Sequence, residues 1–415
     1  MARSRNHHVA IDLGSAKVCC IVGEQREDGA VDVLGVGRAA SKGLRKGTII
    51  NLDEAVESLK SAVEEAETMA GITVETAHVG ISGSHIRGFN SRGVVAVSGR
   101  DREVCQPDLR RVMESARSIS LPPDRTVFHV IPQEFTVDDQ EGIGDPIGMT
   151  GSRLEANVHV VTGSLTALHN ITNCVNRAGI EVTDIVLDQL AAAESTLRTE
   201  EKESGVALVD IGGAATQLAV FDHGALRHTA VIPMGGDHFT SDIAVGLRTP
   251  NNEAERIKTQ YGCAIARMVE DDETIAVPSV GGRKPRRLSR QILCEILQPR
   301  SEELFSLVAE EMERSGYDGG LGSGVVLTGG GSQLEGLAEI GEQIFDLPVR
   351  AGAPSGVGGL VDLVSGPAYA TAAGILLFGA RQQERQEGIR VPAFLLGRFT
   401  TVVRTFFSEV FGAGH

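Results

Sequence analysis

Residues 9–22 read VAIDLGSAKVCCIV, and residues 206–220 read VALVDIGGAATQLAV. Each is an apolar strand, an aspartate, a glycine-bearing turn and a second apolar strand, a hairpin grammar in which glycine breaks a Val- and Ile-rich run. Asp-x-Gly recurs as Asp12-Leu13-Gly14 and Asp210-Ile211-Gly212, and a third strand, VVLTGGGSQL at 325–334, runs into Gly329-Gly330-Gly331. An aspartate at a strand end followed by glycines suits phosphate handling. The glycines let backbone N–H groups approach anionic oxygens, and the carboxylate can hold Mg²⁺ with its waters. One such turn is as readily a plain turn; two facing each other, with the third beside them, can clamp a nucleotide between two lobes. The chain has no GxxxxGK[ST], so this is not a P-loop, and no G-x-G-x-x-G follows these strands.

Outward from these hairpins, Asn51 opens a helix to Met69, with Val56, Leu59, Val63 and Ala66 at helical spacing and Gly71 as its stop. From 83 to 160 alternating VVAVS, a helix at 107–118, FHVIPQEFTVDD and NVHVVT suggest a small α+β module. A helix from Ser164, the strand EVTDIVLD and a helix at Ala191–Leu197 lead to the second hairpin. Residues 237–298 form a more polar insert with a helix at Asn251–Tyr261 and a basic loop at Gly281–Arg290. A helix at Pro367–Phe378 precedes the polar linker QQERQEG.

At about 150 residues per domain, the chain's 415 residues hold two to three domains. A net charge of −16 excludes a general nucleic-acid binder, which needs a basic stripe, and 4% aromatic residues with no Trp exclude a base-stacking platform. Six cysteines without C-x-x-C spacing exclude zinc ribbons and thioredoxin chemistry. Neither a secretory h-region nor an apolar run long enough to span a bilayer occurs, so a cytosolic chain is expected.

The last residues qualify that. In FLLGRFTTVVRTFFSEVF, 394–411, the side chains of Leu395, Leu396, Phe399, Val402, Val403, Phe406, Phe407 and Val410 share one helical face. Arg398 and Arg404 flank that face, able to lie along lipid and reach phosphates, while Thr401, Thr405 and Ser408 lie opposite. The segment is too polar to span a bilayer, and the polar linker before it favours an interfacial membrane helix over one docked on the protein's own core.

These motifs together resemble the actin-like ATPase superfamily and, within it, the FtsA family of bacterial cell-division proteins, over nearly the whole chain. IDLGSAKVCCIVGE is similar to the first phosphate motif, LDQLAAAESTL to the first connecting helix and LVDIGGAATQLAVF to the second phosphate motif. VVLTGGGSQLEGL is similar to the adenosine motif and PAYATAAGILLFG to the second connecting helix. HVIPQEFTVDDQEGIGDPIGMTGSRLEANVHVVT (129–162) and PSGVGGL (354–360) resemble FtsA more specifically.

The resemblance implies an α/β, actin-like two-lobed fold with ribonuclease-H-like halves and two inserted subdomains. The first lobe would take 1–82, 161–203 and 364–381, with the α+β subdomain at 83–160. The second would take 204–236 and 299–363, with a subdomain at 237–298. A linker at 382–393 and a membrane-targeting helix at 394–412 would follow. The implied cofactors are ATP and Mg²⁺. Asp12 and Asp210 would face each other around the metal, and Asp188 would take the water-orienting position, so Asp188 and Asp210 are the catalytic candidates. Gly14, Ser15 and Lys17 would meet the β- and γ-phosphates opposite Gly212, Gly213 and Thr216. Gly329, Gly330, Gly331 and Ser332 would pack on adenosine. Glu255 and Lys258 would reach ribose or base, unless they are only an exposed ion pair. Two departures, Ala214 for a usual glycine and Asp188 for a longer acid or amide, bear on hydrolysis more than on binding, so at most slow ATPase activity is expected. The implied partners are the FtsZ C-terminal tail, with Arg290 and Arg300 as candidate contacts, further copies of the chain head to tail, other divisome proteins and the anionic cytoplasmic membrane surface at the division site. A PilM-like pilus scaffold and a sugar kinase of the same superfamily are the alternatives.

Overall fold

The computed structural model describes residues 7–279, 284–317 and 320–386. Its two larger sheets repeat one topology. In the first, His7–Leu13, Lys17–Gln25 and Val31–Ala40 form an antiparallel meander, and Thr76–Ile81 and then Glu181–Leu187 add in parallel beyond His7–Leu13. In the second, Val206–Ile211, Thr216–Asp222 and Ala225–Ile232 form the meander, and Val325–Thr328 and Val349–Ala351 add in parallel. Val357–Gly359, in the stretch expected in the second lobe, pairs in parallel with Val31–Ala40 of the first sheet.

Local chemistry sets the element ends. Asn51 caps the helix Leu52–Ala70 by accepting the Glu54 N–H at 3.3 Å, and Gly71, at φ 69°, closes it in the left-handed conformation. This helix and Leu165–Arg177 cover one face of the first sheet, where Val9, Ile11 and Leu13 meet Leu59, Ala62 and Ile171. The helix Ala370–Gln386 covers the other face, with Ile375 and Leu376 against Ala10, Cys19 and Ile21. It runs beyond Phe378 into the stretch read as linker, because Gln382 is tied down: its amide donates to Asp184 Oδ2 at 2.8 Å.

The inserted module is a four-stranded antiparallel sheet, in order Arg87–Ala96, Arg153–Ser164, Arg125–Val137 and Gln140–Ile143, backed by the helix Gln106–Arg117. It leans on the second sheet. Gln133 Nε2 donates to the Leu226 carbonyl at 2.8 Å, and His159 meets Thr229 Oγ1 at 2.9 Å. The expected insert of the second lobe holds the helices Gly236–Gly246 and Asn251–Tyr261 and the two-stranded ribbon Thr274–Val277 with Arg286–Ser289. The long helix Arg290–Arg314 begins inside that insert and ends beyond it.

Candidate nucleotide cleft

Strand alternation alone aims both hairpin aspartates into the gap between the sheets. In His7–Leu13, Ala10 packs on the side of Ile375 and Leu376, and Asp12 shares its parity. In Val206–Ile211, Val206 and Leu208 pack on Leu190 and Ala192 of the helix Asp188–Thr196, and Asp210 shares theirs. Asp12, Asp188 and Asp210 thus line one cavity of about 170 Å³, with Gly14, Ser15, Lys17, Gly212, Gly213, Ala214, Gly329 and Gly330 around them.

The three carboxyls are buried and repel one another. Burial pushes Asp210 up to about 6, with Asp12 adding to the rise. Asp12 is raised by burial against the pull of Lys17. Asp188 stands well above the usual carboxylate range through burial, then through Asp12. Thr371 donates to Asp210 Oδ2 at 3.1 Å, and Lys17 Nζ sits 3.5 Å from the centre of the Tyr369 ring. Asp188 Oδ1 and Gln217 Oε1 are buried acceptors without a hydrogen-bond partner. The clustered carboxyls of Asp12, Asp188 and Asp210 fit a hard divalent cation. Among the described residues no three His, Cys, Asp or Glu side chains are grouped so as to hold a metal ion by themselves.

Ala16, Gly212, Gly213 and Gly330 also line a second, larger pocket of about 420 Å³, so the two spaces adjoin. Its walls include Glu255, Lys258, Gly331, Gln333, Leu334 and Arg290. Glu255 and Lys258 pair with each other at 2.6 Å, and Lys258 also donates to the Gly236 carbonyl at 2.9 Å. Two expected residues line neither space. The Thr216 hydroxyl is fully buried and donates to the Met234 carbonyl at 2.8 Å, and Ser332 donates to the Gly329 carbonyl at 2.8 Å. Gln217, the cross-strand neighbour of Asp210, lines the cavity in place of Thr216. Lys46, Gly47, Ser82 and Gly83 line it too, and sequence motifs gave no hint of them.

Arg290 is held by Glu273 (2.9 Å) and Glu335 (2.7 Å), and Arg300 by Asp242 (2.6 Å) and Glu303 (2.5 Å). The membrane-helix residues, 394–412, lie outside the described residues.

Comparison with known proteins gives this architecture its relatives. The profile of cell division protein FtsA matches residues 207–374, and that of the SHS2 domain inserted in FTSA matches 83–162. A cell division protein FtsA of Pseudomonas aeruginosa is 50% identical over 375 residues, covering 90% of this chain and 89% of its own. The chain belongs to the FtsA family. FtsA of Escherichia coli K12 is 42% identical over 385 residues, covering 91% of each chain, and FtsA of Bacillus subtilis is 40% identical over 388, covering 93% and 87%. Among solved structures, the PilM-PilN type IV pilus biogenesis complex aligns with TM-score 0.67 at 17% identity over 90% of this chain and 98% of the other. MreB5 of Spiroplasma citri bound to ADP aligns with TM-score 0.56 at 15% identity over 93% and 99%. These two likenesses show that this FtsA-family chain has the actin-like fold.

Proposed function

We propose that this chain is an ATP-binding, actin-like division protein that assembles into filaments and tethers FtsZ to the cytoplasmic membrane, where it recruits later division proteins. The observation that carries the reading is the convergence of Asp12 and Asp210, from equivalent hairpins of two sheets, on a glycine-lined cavity opening into a larger pocket. An adenosine in the larger pocket would lie against Gly330, Gly331 and the helix Asn251–Tyr261. Its phosphate chain would run past Ala16, Gly212 and Gly213 toward the three acids. MreB5 structures carrying ADP and AMPPNP share the fold.

In this reading the glycine turns present backbone N–H groups to phosphate, and Lys17 balances charge beside Asp12. Asp12 and Asp210 would hold Mg²⁺, which when bound supplies neutralisation of the terminal phosphate oxygens. Asp188, with Gln217 beside it, lies where a water facing the terminal phosphate would be oriented. Ala214 brings a methyl group to the same wall, consistent with slow turnover. FtsA-named relatives at 38–50% identity favour division over a pilus scaffold or a sugar kinase.

Membrane attachment rests on the sequence of 394–411, and filament formation would multiply one reversible helix by avidity. Removing the residues after Gln383 should abolish co-sedimentation with anionic vesicles, and ATP with FtsZ should increase pelleting of the full chain. Undiminished pelleting of the shortened chain would contradict the tether.

A further inference from the structure

The inner cavity has a wall assigned above to no role. Leu44–Arg45 and Thr48–Ile49 form a minimal hairpin, with Leu44 opposite Ile49 and Arg45 opposite Thr48. Its two tip residues, Lys46 at φ 51° and Gly47 at φ 72°, are both left-handed. A type I′ two-residue hairpin loop takes positive φ at both positions, and Asn-Gly, Asp-Gly or Gly-Gly fill it best. Lys at the first position bears a Cβ penalty that Asn largely escapes, so the turn is not built for stability alone.

The tip is docked where the penalty has a use. The Gly47 N–H donates to Ser15 Oγ at 3.2 Å, tying the tip to the first phosphate turn. A Cβ on Gly47 would lie 2.6 Å from Gly83 Cα and 2.8 Å from the Ser82 carbonyl oxygen, so the tip rests on the loop beside Asp188. Lys46, Gly47, Ser82 and Gly83 line the cavity that holds the three acids but not the larger pocket. A nucleotide with its base in the larger pocket would extend its phosphate chain toward this wall. Lys46 and Lys17 are the two basic residues among those lining the cavity, and Lys17 is engaged by Tyr369 and Asp12.

We propose that Lys46, on its hairpin tip, reads the terminal phosphate and makes the cleft favour a nucleoside triphosphate over the diphosphate. The inference rests on the nucleotide reading of the cleft. A diphosphate ends short of the wall and gains little from the ammonium, whereas a γ-phosphate oxygen accepts a charge-assisted hydrogen bond from it.

The test is calorimetric titration of the full chain with Mg-ATP and with Mg-ADP, comparing wild type, Lys46→Asn and Lys46→Arg. Asn suits the turn, so Lys46→Asn keeps the hairpin and melts no lower than wild type. Its ATP affinity falls about tenfold while ADP affinity stays within about twofold, and Lys46→Arg retains most of the preference. Unchanged ATP affinity in Lys46→Asn, or equal losses for both nucleotides, would overturn the role of Lys46. A wild-type chain that binds neither nucleotide would instead overturn the reading of the cleft.

Discussion

A Cβ at position 329 would stand 2.1 Å from Asp210 Oδ1, and φ there is 83°, so the strand end that faces Asp210 admits only glycine. Single positions of this kind explain which site residues were legible in the sequence. Asp12, Asp210 and the glycines declared themselves because chemistry and backbone geometry coincide in a short motif. Thr216 did not behave as its motif implied, because period-two alternation puts it opposite Ile211 on the buried face and sends Gln217 to the cleft. His159 shows the same dependence on long-range partners. It is fully buried between Asn90 Oδ1 (2.8 Å) and Thr229 Oγ1 (2.9 Å), one ring nitrogen donating and the other accepting. Burial first, then His228, hold its pKa down at about 3, against an ordinary 6.5. Below the ordinary value the unfolded chain takes up this proton while the folded chain does not, so stability falls as pH drops from 6.5 toward 3. Urea unfolding of His159→Gln should show a loss between about pH 7.5 and about pH 5 smaller than that of wild type by on the order of 2 kcal/mol. Parallel pH profiles would contradict the buried neutral ring.

Among elements, the hairpins and the capped helix Leu52–Ala70 were readable because their signals are local: alternation, an Asn cap, a Gly stop. The Lys46 hairpin was not, since its strands are two residues each and no hydrophobic period marks them. Val357–Gly359 was equally silent, because its partner strand, Val31–Ala40, is far away in sequence. The contact that joins the halves also escapes local reading. The helices Asp188–Thr196 and Ala370–Gln386 cross where a Cβ on Gly374 would lie 1.7 Å from the Ala191 carbonyl oxygen. Gly374→Ala must push the two helices apart, and overpacking of this kind costs about 1–3 kcal/mol. Because the helices begin at Asp188 and beside Thr371, the same change should also weaken nucleotide binding. Thermal melting and nucleotide titration of Gly374→Ala check this; wild-type behaviour in both would show that the crossing tolerates a methyl group.

For the molecule as a whole, duplication of one sheet topology makes a cleft whose two walls carry the same device. The inserted module adds a second link between the halves, since Gln133 and His159 reach the strand Ala225–Ile232. The sequence displayed the duplication as two similar hairpins about 200 residues apart, but not how the module leans, because that seam joins Ile131, Val161, Gln133 and His159 to Phe221, Leu226 and Thr229, partners distant in sequence that no local period marks. Nucleotide in the cleft would join walls belonging to both sheets. Everything at this scale depends on the cleft holding Mg-ATP. The most direct measurement is calorimetric titration of the full chain and of Asp210→Ala with Mg-ATP. Saturable one-to-one binding by wild type, lost in Asp210→Ala, is the result expected; no binding by wild type, or equal affinity in the variant, would contradict the account.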